Sequence, residues 1–402
     1  KSLWTEKQTG DQILVRQCPT SFDEADFVTE DIRRKKRLGA YDYRDSAILY
    51  RTNAQSRLFE EKLLLANIPY KIVGGINFYA RKESKDLLAY LKTVDNASDD
   101  LAVRRIINIP KRGIGAATLA KVQNYAADQD ISFYEALKRA DQVPGLGRAA
   151  AKIEPFITCI QTFRSQAEFY TVSELLKQII ETTGYVQELQ AEDSDEAEAR
   201  IGNIDELISK AVVYEESTDA ATLEGFLEEV ALVADIDELD EDTNRVVLMT
   251  LHSAKGLEFP LVFLVGAENE TFPGSSKFSC EEDLEEERRL CYVAIKSAEE
   301  QLIISFSITK YIYGDTLPTQ ESIFLKEIPE EYKWEEWKEK EVKLSKIQTK
   351  NIISTEDLKK KALNLPFSVG ERVMHKKFGL GVVRTLGEKK IIVAFVTGKK
   401  EI

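Results

Sequence analysis

The stretch Val246-Val-Leu-Met-Thr-Leu-His-Ser-Ala-Lys-Gly-Leu-Glu-Phe-Pro-Leu-Val-Phe-Leu-Val265 decides the fold. Two continuous apolar runs, Val246–Met249 and Leu261–Val265, flank a polar turn. Each is too short for a helix. Runs of this kind suit strands buried on both faces of a parallel sheet. Between them stand Thr250, His252, Ser253, Lys255, Gly256 and Glu258, a dense polar cluster set against buried strands. In open α/β sheets, ligands bind beyond the carboxyl ends of strands. Thr250 to Glu258 is therefore expected to line a ligand crevice. The plain alternative is a connecting loop, polar because loops are.

The flanking sequence extends the pattern in both directions. Upstream, Gln12 to Val15 reads as a strand. Ser21-Phe-Asp-Glu24 reads as a capping box opening a helix that Gly39 ends. Asp45 to Tyr50 is a second strand, Gln55 to Ala66 an amphipathic helix, Tyr70 to Val73 a strand, and Glu83 to Leu91 a helix. Such alternation builds a parallel sheet with covering helices. From about Asn96 to Thr243 strand-like runs vanish and helical periodicity dominates, so an all-helical segment interrupts the α/β pattern. Downstream, Glu281 to Glu300 reads as one long helix and Gln301 to Phe306 as the strand that follows. Glu331 to Ala362 is rich in Lys and Glu and reads as a linker. From Phe367, short alternating runs punctuated by Gly predict a small β-barrel.

Two places outside the central stretch carry binding chemistry. Tyr50-Arg51 ends a strand where a helix begins; Tyr has a flat face for a base and Arg a fork for phosphate oxygens. Ile107-Asn-Ile-Pro-Lys-Arg-Gly-Ile-Gly115 precedes a helix start. Gly113 and Gly115 allow close backbone approach, the helix N-terminus presents free N–H groups, and Lys111 and Arg112 add charge. That reads as a helix-hairpin-helix-like grip on duplex backbone, or as a glycine-rich turn between helices. Pro144-Gly-Leu-Gly147 repeats the pattern and reads as a turn.

The chain has 402 residues, room for two or three domains. Apolar content of 43% and charged content of 31% fit a soluble globular protein. No apolar run is long enough to span a membrane. The opening Lys1-Ser-Leu-Trp-Thr has neither an initiator Met nor a signal-peptide core, and reads as an internal point of a longer chain. Four Cys without paired spacing favour a reducing, cytoplasmic setting, and two His argue against a histidine-rich metal site. A net charge of −14 argues against coating nucleic acid through overall charge and leaves room for local basic grooves.

Thr250-Leu-His-Ser-Ala-Lys-Gly-Leu-Glu-Phe-Pro260 resembles motif V of the UvrD/Rep/PcrA-type superfamily 1 DNA helicases. Tyr50-Arg-Thr-Asn-Ala-Gln-Ser-Arg57 resembles their motif IV, and Glu286-Glu-Arg-Arg-Leu-Cys-Tyr-Val-Ala294 their motif VI. Val73 to Leu91 is similar to the family's next block, and the tail is similar to the extra C-terminal module of PcrA-type members. The resemblance covers nearly the whole chain. It implies a second RecA-like parallel-sheet domain at 1–95 and 244–330, an all-helical insertion at 96–243, a charged linker at 331–365 and an SH3- or Tudor-like barrel at 366–402. It implies an ATP-dependent 3′–5′ DNA helicase serving repair or replication, with ATP bound between this half and N-terminal helicase domains. By the matched motifs, Tyr50 stacks on adenine, Arg51 reaches the γ-phosphate, Glu258 holds the ribose, and Thr250 and His252 couple nucleotide state to DNA. Arg81 faces single-stranded DNA. Lys111, Arg112, Gly113 and Gly115 meet duplex DNA.

One departure stands out. Where the family continues Thr-Arg-Ala, with an Arg on the γ-phosphate, this chain has Lys296 and Ser297. Lys296 is then the candidate charge near that phosphate, without a bidentate fork. No Gly-x-x-x-x-Gly-Lys-Ser/Thr occurs, so the phosphate cradle and the Mg²⁺ ligands are expected in an N-terminal half and this chain alone is expected to be inactive. The barrel's Lys and Arg suit RNA polymerase or nucleic acid, and equally a generic protein partner. Rival readings are a non-enzymatic docking fragment and a subunit of a helicase–nuclease.

Overall fold

The first unit of the chain, Lys1–Glu336, is built on one sheet. The computed structural model describes residues 11–235, 244–274, 281–312 and 315–335, and four strands within 372–401. In chain order come β1 (Ile13–Thr20), α1 (Ser21–Arg37), β2 (Ser46–Tyr50), α2 (Ser56–Leu65) and β3 (Tyr70–Val73). Helices follow: α3 (Lys82–Asp95), α4 (Asp100–Ile106), α5 (Ala116–Gln129), α6 (Phe133–Lys138), α7 (Ala150–Gln166), α8 (Val172–Thr183), α9 (Tyr185–Gln190), α10 (Asp195–Ser217) and α11 (Leu223–Asp235). The sheet resumes with β4 (Val246–Thr250) and β5 (Phe259–Leu264), then α12 (Glu281–Lys296), β6 (Ala298–Ile312), β7 (Asp315–Pro318), α13 (Ile323–Glu327) and β8 (Lys333–Glu335).

The strand order is β3-β4-β2-β5-β6-β1-β8, with every pair along it parallel; β7 pairs antiparallel with β6. The two apolar runs of the central stretch thus flank β2, one on each side. Ile48, Tyr50, Val246, Leu248, Leu261 and Phe263 face one layer, packed with Ala25, Val28 and Ile32 of α1 and Phe59 and Leu63 of α2. The alternate residues Ala47, Leu49, Val247, Met249, Val262 and Leu264 are buried too. Burial on both faces is why these strands read as unbroken apolar runs.

The helices between β3 and β4 enclose a separate apolar cluster, centred on Phe133, Phe156, Phe163, Leu176, Leu207 and Phe226. Helix α3, expected to go with the sheet, gives Leu87, Tyr90, Leu91 and Val94 to this cluster. The seam between the two cores is polar. Arg57 of α2, 2% exposed, is bonded to Glu206 of α10 at 2.8 Å and to Glu61 at 3.1 Å. Lys210 of α10 reaches Glu61 at 3.3 Å.

Element ends differ from expectation in several places: β1 runs on to Thr20, α3 to Asp95 and β6 to Ile312. Thr20, not Ser21, caps α1: its Oγ1 accepts from the Asp23 N–H at 3.1 Å, and Asp23 accepts in return at 3.0 Å. The long helix ends at Lys296, because Ala298–Glu300 are drawn into pairing with β5, beginning Phe259 opposite Ala298. Lys333–Glu335, expected in the linker, pair with β1 at the sheet edge; the rest of the linker, from 336 to 365, lies outside the described residues.

In the second unit, Trp337–Ile402, four strands form an antiparallel sheet: β9 (Arg372–His375), β10 (Gly379–Leu386), β11 (Ile391–Phe395) and β12 (Gly398–Glu401), in order β12-β11-β10-β9. Its side chains lie outside the described residues.

Candidate functional site

The central loop, residues 251–258, returns from the carboxyl edge of the sheet to the amino edge, because β4 and β5 both run parallel to β2. Its two ends therefore stand at opposite edges. At the carboxyl edge lies a crevice of about 770 Å³. Arg51, Thr250, His252, Gly266 and Lys310 line it from the sheet, and Asp195, Glu198, Asp205 and Glu206 line it from α10.

Thr250 Oγ1 lies 3.1 Å from Ser253 Oγ and accepts from the Ser253 N–H at 3.3 Å, which curls the start of the loop. A side chain at Gly74 would meet Ser253 Oγ at 2.5 Å, so the loop packs on bare backbone there, at a φ of +73°. His252 is exposed at the mouth. Desolvation, then the charge of Arg51, hold its imidazole below the usual range. It is therefore uncharged at neutral pH and can serve as donor or acceptor.

Arg51 is held from both ends. Its backbone N–H and that of Thr52 donate to Gln55 Oε1, each at 2.9 Å. Its guanidinium forms a fork on Glu287 of α12, at 3.0, 3.0 and 2.7 Å, and that carboxylate is 2% exposed. Gln55 and Glu287 carried no signal in the sequence beyond their spacing within matched blocks. Tyr50 is fully buried among the side chains that join β2 to α1 and α2. It offers no free ring face for a base in this conformation.

Two further residues without a functional signal in the sequence stand here, Glu24 in the lining of the crevice and Glu268 buried behind Lys310. Glu24 accepts from the Gly266 N–H at 2.8 Å and from Ser305 Oγ at 2.6 Å. Burial, then the nearby Glu268 carboxylate, push its acid up to about 7. Glu268 is fully buried, accepts from Ser307 N–H and Oγ at 2.7 and 2.6 Å, and is paired with Lys310.

At the amino edge stand Glu258, Lys296 and Ser297. The Phe259 N–H donates to the Ser297 carbonyl at 2.8 Å, which brings Glu258 beside the end of α12. Glu258 and Lys296 are exposed. Ser297 is 2% exposed, and its hydroxyl turns back to the Val293 carbonyl at 3.0 Å. The Arg51 guanidinium is fixed at Glu287, and Ser297 lies ten residues further along the chain of α12, about 15 Å at 1.5 Å per residue. The structure thus sets Glu258 and Lys296 at the amino edge of the sheet and Arg51 at the carboxyl edge.

In the helical body, Gly115 is the N-cap of α5 and gives no side-chain cap, while Gly113 adopts a φ of +69°. Asn108 Oδ1 braces the turn, accepting from the Arg112 and Ile114 N–H groups at 2.9 and 3.1 Å. Lys111 is exposed. Arg112 is spent inside the fold: it donates to the Ile106, Ile107, Ile109 and Pro110 carbonyls and to Tyr90 Oη. Arg81, expected to face single-stranded DNA, is 5% exposed and donates to Asn203 Oδ1 and Ser56 Oγ, both at 2.7 Å. Both arginines read from sequence as ligand contacts are braces within the fold, because a guanidinium has five donors to place wherever carbonyls gather. Among the described residues no cluster of His, Cys, Asp and Glu could hold a metal ion, and no helix is long and apolar enough to cross a membrane.

Comparison with known proteins adds to this geometry. The sequence profile of the UvrD-like helicase C-terminal domain matches residues 1–309. ATP-dependent DNA helicase PcrA of Staphylococcus epidermidis (strain ATCC 12228) is 43% identical over 396 residues, which is 97% of this chain and 54% of the relative. ATP-dependent DNA helicase PcrA of Staphylococcus aureus (strain NCTC 8325) is 42% identical over 398 residues, again 97% and 54%. The chain spans about half the length of the curated relatives it matches. A parallel sheet, a helical body set between β3 and β4, and a profile match running through both make the chain a member of the UvrD-like helicase C-terminal domain family.

Proposed function

We propose that this chain is the C-terminal half of an ATP-dependent DNA helicase of the PcrA type, its sheet a second RecA-like domain. One observation carries the mechanism: a single loop has Thr250 and His252 at one edge of the sheet and Glu258 at the other. Nucleotide meets the amino edge, where the Glu258 carboxylate accepts from a ribose hydroxyl and the Lys296 ammonium meets phosphate. Single-stranded DNA passes the carboxyl edge, where Thr250 and His252 contact it. Displacement of one end of so short a loop shifts the other, which links hydrolysis to movement along DNA in the 3′–5′ sense. Arg51, forked on Glu287, ties the loop after β2 to α12 and acts by positioning; neither it nor Tyr50 touches nucleotide in this reading. The turn at Lys111–Gly115 meets duplex DNA through Lys111 and the open start of α5, and Arg112 and Arg81 hold their segments in shape. The phosphate cradle and the Mg²⁺ ligands come from N-terminal helicase domains, and the four-stranded tail is a Tudor-like docking module for RNA polymerase or another partner.

The test uses this chain joined to the N-terminal half of a PcrA relative. Glu258→Ala should raise the KM for ATP and leave single-stranded DNA affinity unchanged. His252→Ala should lower DNA stimulation of hydrolysis and leave the unstimulated rate unchanged. Loss of both properties in both variants would show that the loop folds as one unit and has no divided role. DNA-stimulated hydrolysis by the 402-residue chain alone would overturn the assignment of the phosphate cradle to the other half.

A further inference from the structure

We propose that the pocket between the 107–115 turn and α9 binds one nucleoside phosphate, with the base on its apolar floor and the phosphate on its cationic rim. The cavity measures about 270 Å³. That is near the small end of ligand pockets, roughly 300–1,000 Å³, and admits one nucleotide, not a helix. Three cations from three separate elements converge on it: Lys82 at the start of α3, Lys111 in the turn and Arg200 on α10. Among the described residues, the ammonium groups of Lys82 and Lys111 have no ion pair and no hydrogen bond. Arg200 is anchored, with Nε 3.4 Å from Glu83 and Nη1 3.6 Å from Glu192, so its charge is partly balanced and Lys82 and Lys111 supply the free charge of the rim.

The lining beneath the rim is of a different kind. Ile109, Pro110 and Leu189 supply an apolar surface, and Tyr185 spends its hydroxyl on Asp86 at 2.9 Å, so it brings no donor to the pocket. An anion alone gains nothing from such a floor, whereas a base has two apolar faces. Glu188 and Glu192 also border the pocket. They repel a bare polyanion and accept from exocyclic amino groups, which favours an adenine-like base over inorganic phosphate. The source is either a nucleotide at the end of a DNA strand or a free nucleotide. The inference goes beyond the helicase reading and shares only Lys111 with the duplex contact.

The experiment is calorimetric titration of the 402-residue chain with dAMP, inorganic phosphate and trideoxyadenylate. Saturable dAMP binding, tighter than that of phosphate, is expected. Lys82→Glu should weaken it by about ten-fold or more, the worth of one charge-assisted contact. Glu188→Gln should leave the fold intact and change base preference, lowering the advantage of dAMP over thymidine monophosphate. Tighter binding of the trinucleotide assigns the pocket to a DNA strand, and tighter binding of dAMP assigns it to free nucleotide; both support the pocket if Lys82→Glu weakens them. Phosphate binding as tightly as dAMP would overturn the proposal, because the floor would then contribute nothing. So would dAMP binding that survives Lys82→Glu and falls with Glu258→Ala, since it would belong to the amino edge of the sheet.

Discussion

Burial sets what individual charged residues do in this protein. Glu24 sits on the exposed-looking start of a helix in sequence, yet it is 3% exposed and bonded to Gly266 and Ser305. Its acid is raised from 4.5 to about 7. A folded form that holds its proton more tightly than the unfolded chain is favoured at low pH. The contribution of Glu24 is complete below the unfolded value of 4.5 and is lost as pH rises through about 7. Glu24→Gln keeps an acceptor for both bonds and removes the titration. Thermal unfolding at pH 5 and pH 8 should show the variant gaining on the parent as pH rises. A gap that stays constant with pH would mean that Glu24 is ionised throughout. Arg51 and Arg112 show the same lesson for cations. Each looks like a phosphate ligand by type, and each has several of its donors bonded within the fold.

At the scale of elements, glycine marks where segments are pressed together. Gly266 follows β5 at a φ of +63°, and a Cβ there would overlap the Gln55 side-chain amide that brackets Arg51 and Thr52. Gly256 has a φ of +86°, and a Cβ there would meet nothing within 4 Å. Gly256→Ala should cost about 1–2 kcal/mol, the backbone term alone. Gly266→Ala should cost about 1–3 kcal/mol more, because it also displaces the acceptor of two backbone donors. Urea denaturation of the two variants measures the difference. Equal losses would show that the Gln55 bracket is dispensable. The alternation of strands and helices was legible here because short unbroken apolar runs mark the strands and a 3.6-residue apolar period marks the helices. The helix ends were not: whether Thr20 or Ser21 caps α1, and where α12 yields to β6, depends on which residues the sheet recruits.

At the scale of the molecule, the sheet and the helical body meet through ions rather than hydrocarbon. Arg57 is buried between Glu61 and Glu206, and Lys210 joins Glu61 to Glu229. Removing one member of a buried network strands the charges that remain, and the cost grows with the number of partners left unpaired. Arg57→Met should therefore destabilise by about 3 kcal/mol, because it takes the guanidinium from both Glu206 and Glu61, and Glu206→Ala by less, because Arg57 keeps Glu61. Denaturant midpoints give both values. The opposite order would mean that Lys210 suffices for Glu61 and that the guanidinium is not the centre of the joint.

The sequence alone determined the parallel sheet, the helical segment set within it and the family. Those rest on local periodicity and on a long motif of mixed chemistry, both written in consecutive residues. It also placed Thr250, His252 and Glu258 on one loop. Only the tertiary structure decided that this loop joins two edges of the sheet. Only the tertiary structure separated Arg51 from Lys296, buried Tyr50, and turned Arg81 and Arg112 into braces. The physical reason is that a side chain's partners come from distant segments: Glu287 is 236 residues from Arg51, and Asn203 is 122 from Arg81. No local pattern records which carbonyl or carboxylate the fold will carry to a guanidinium, and that encounter determines whether its charge faces a ligand or holds the chain.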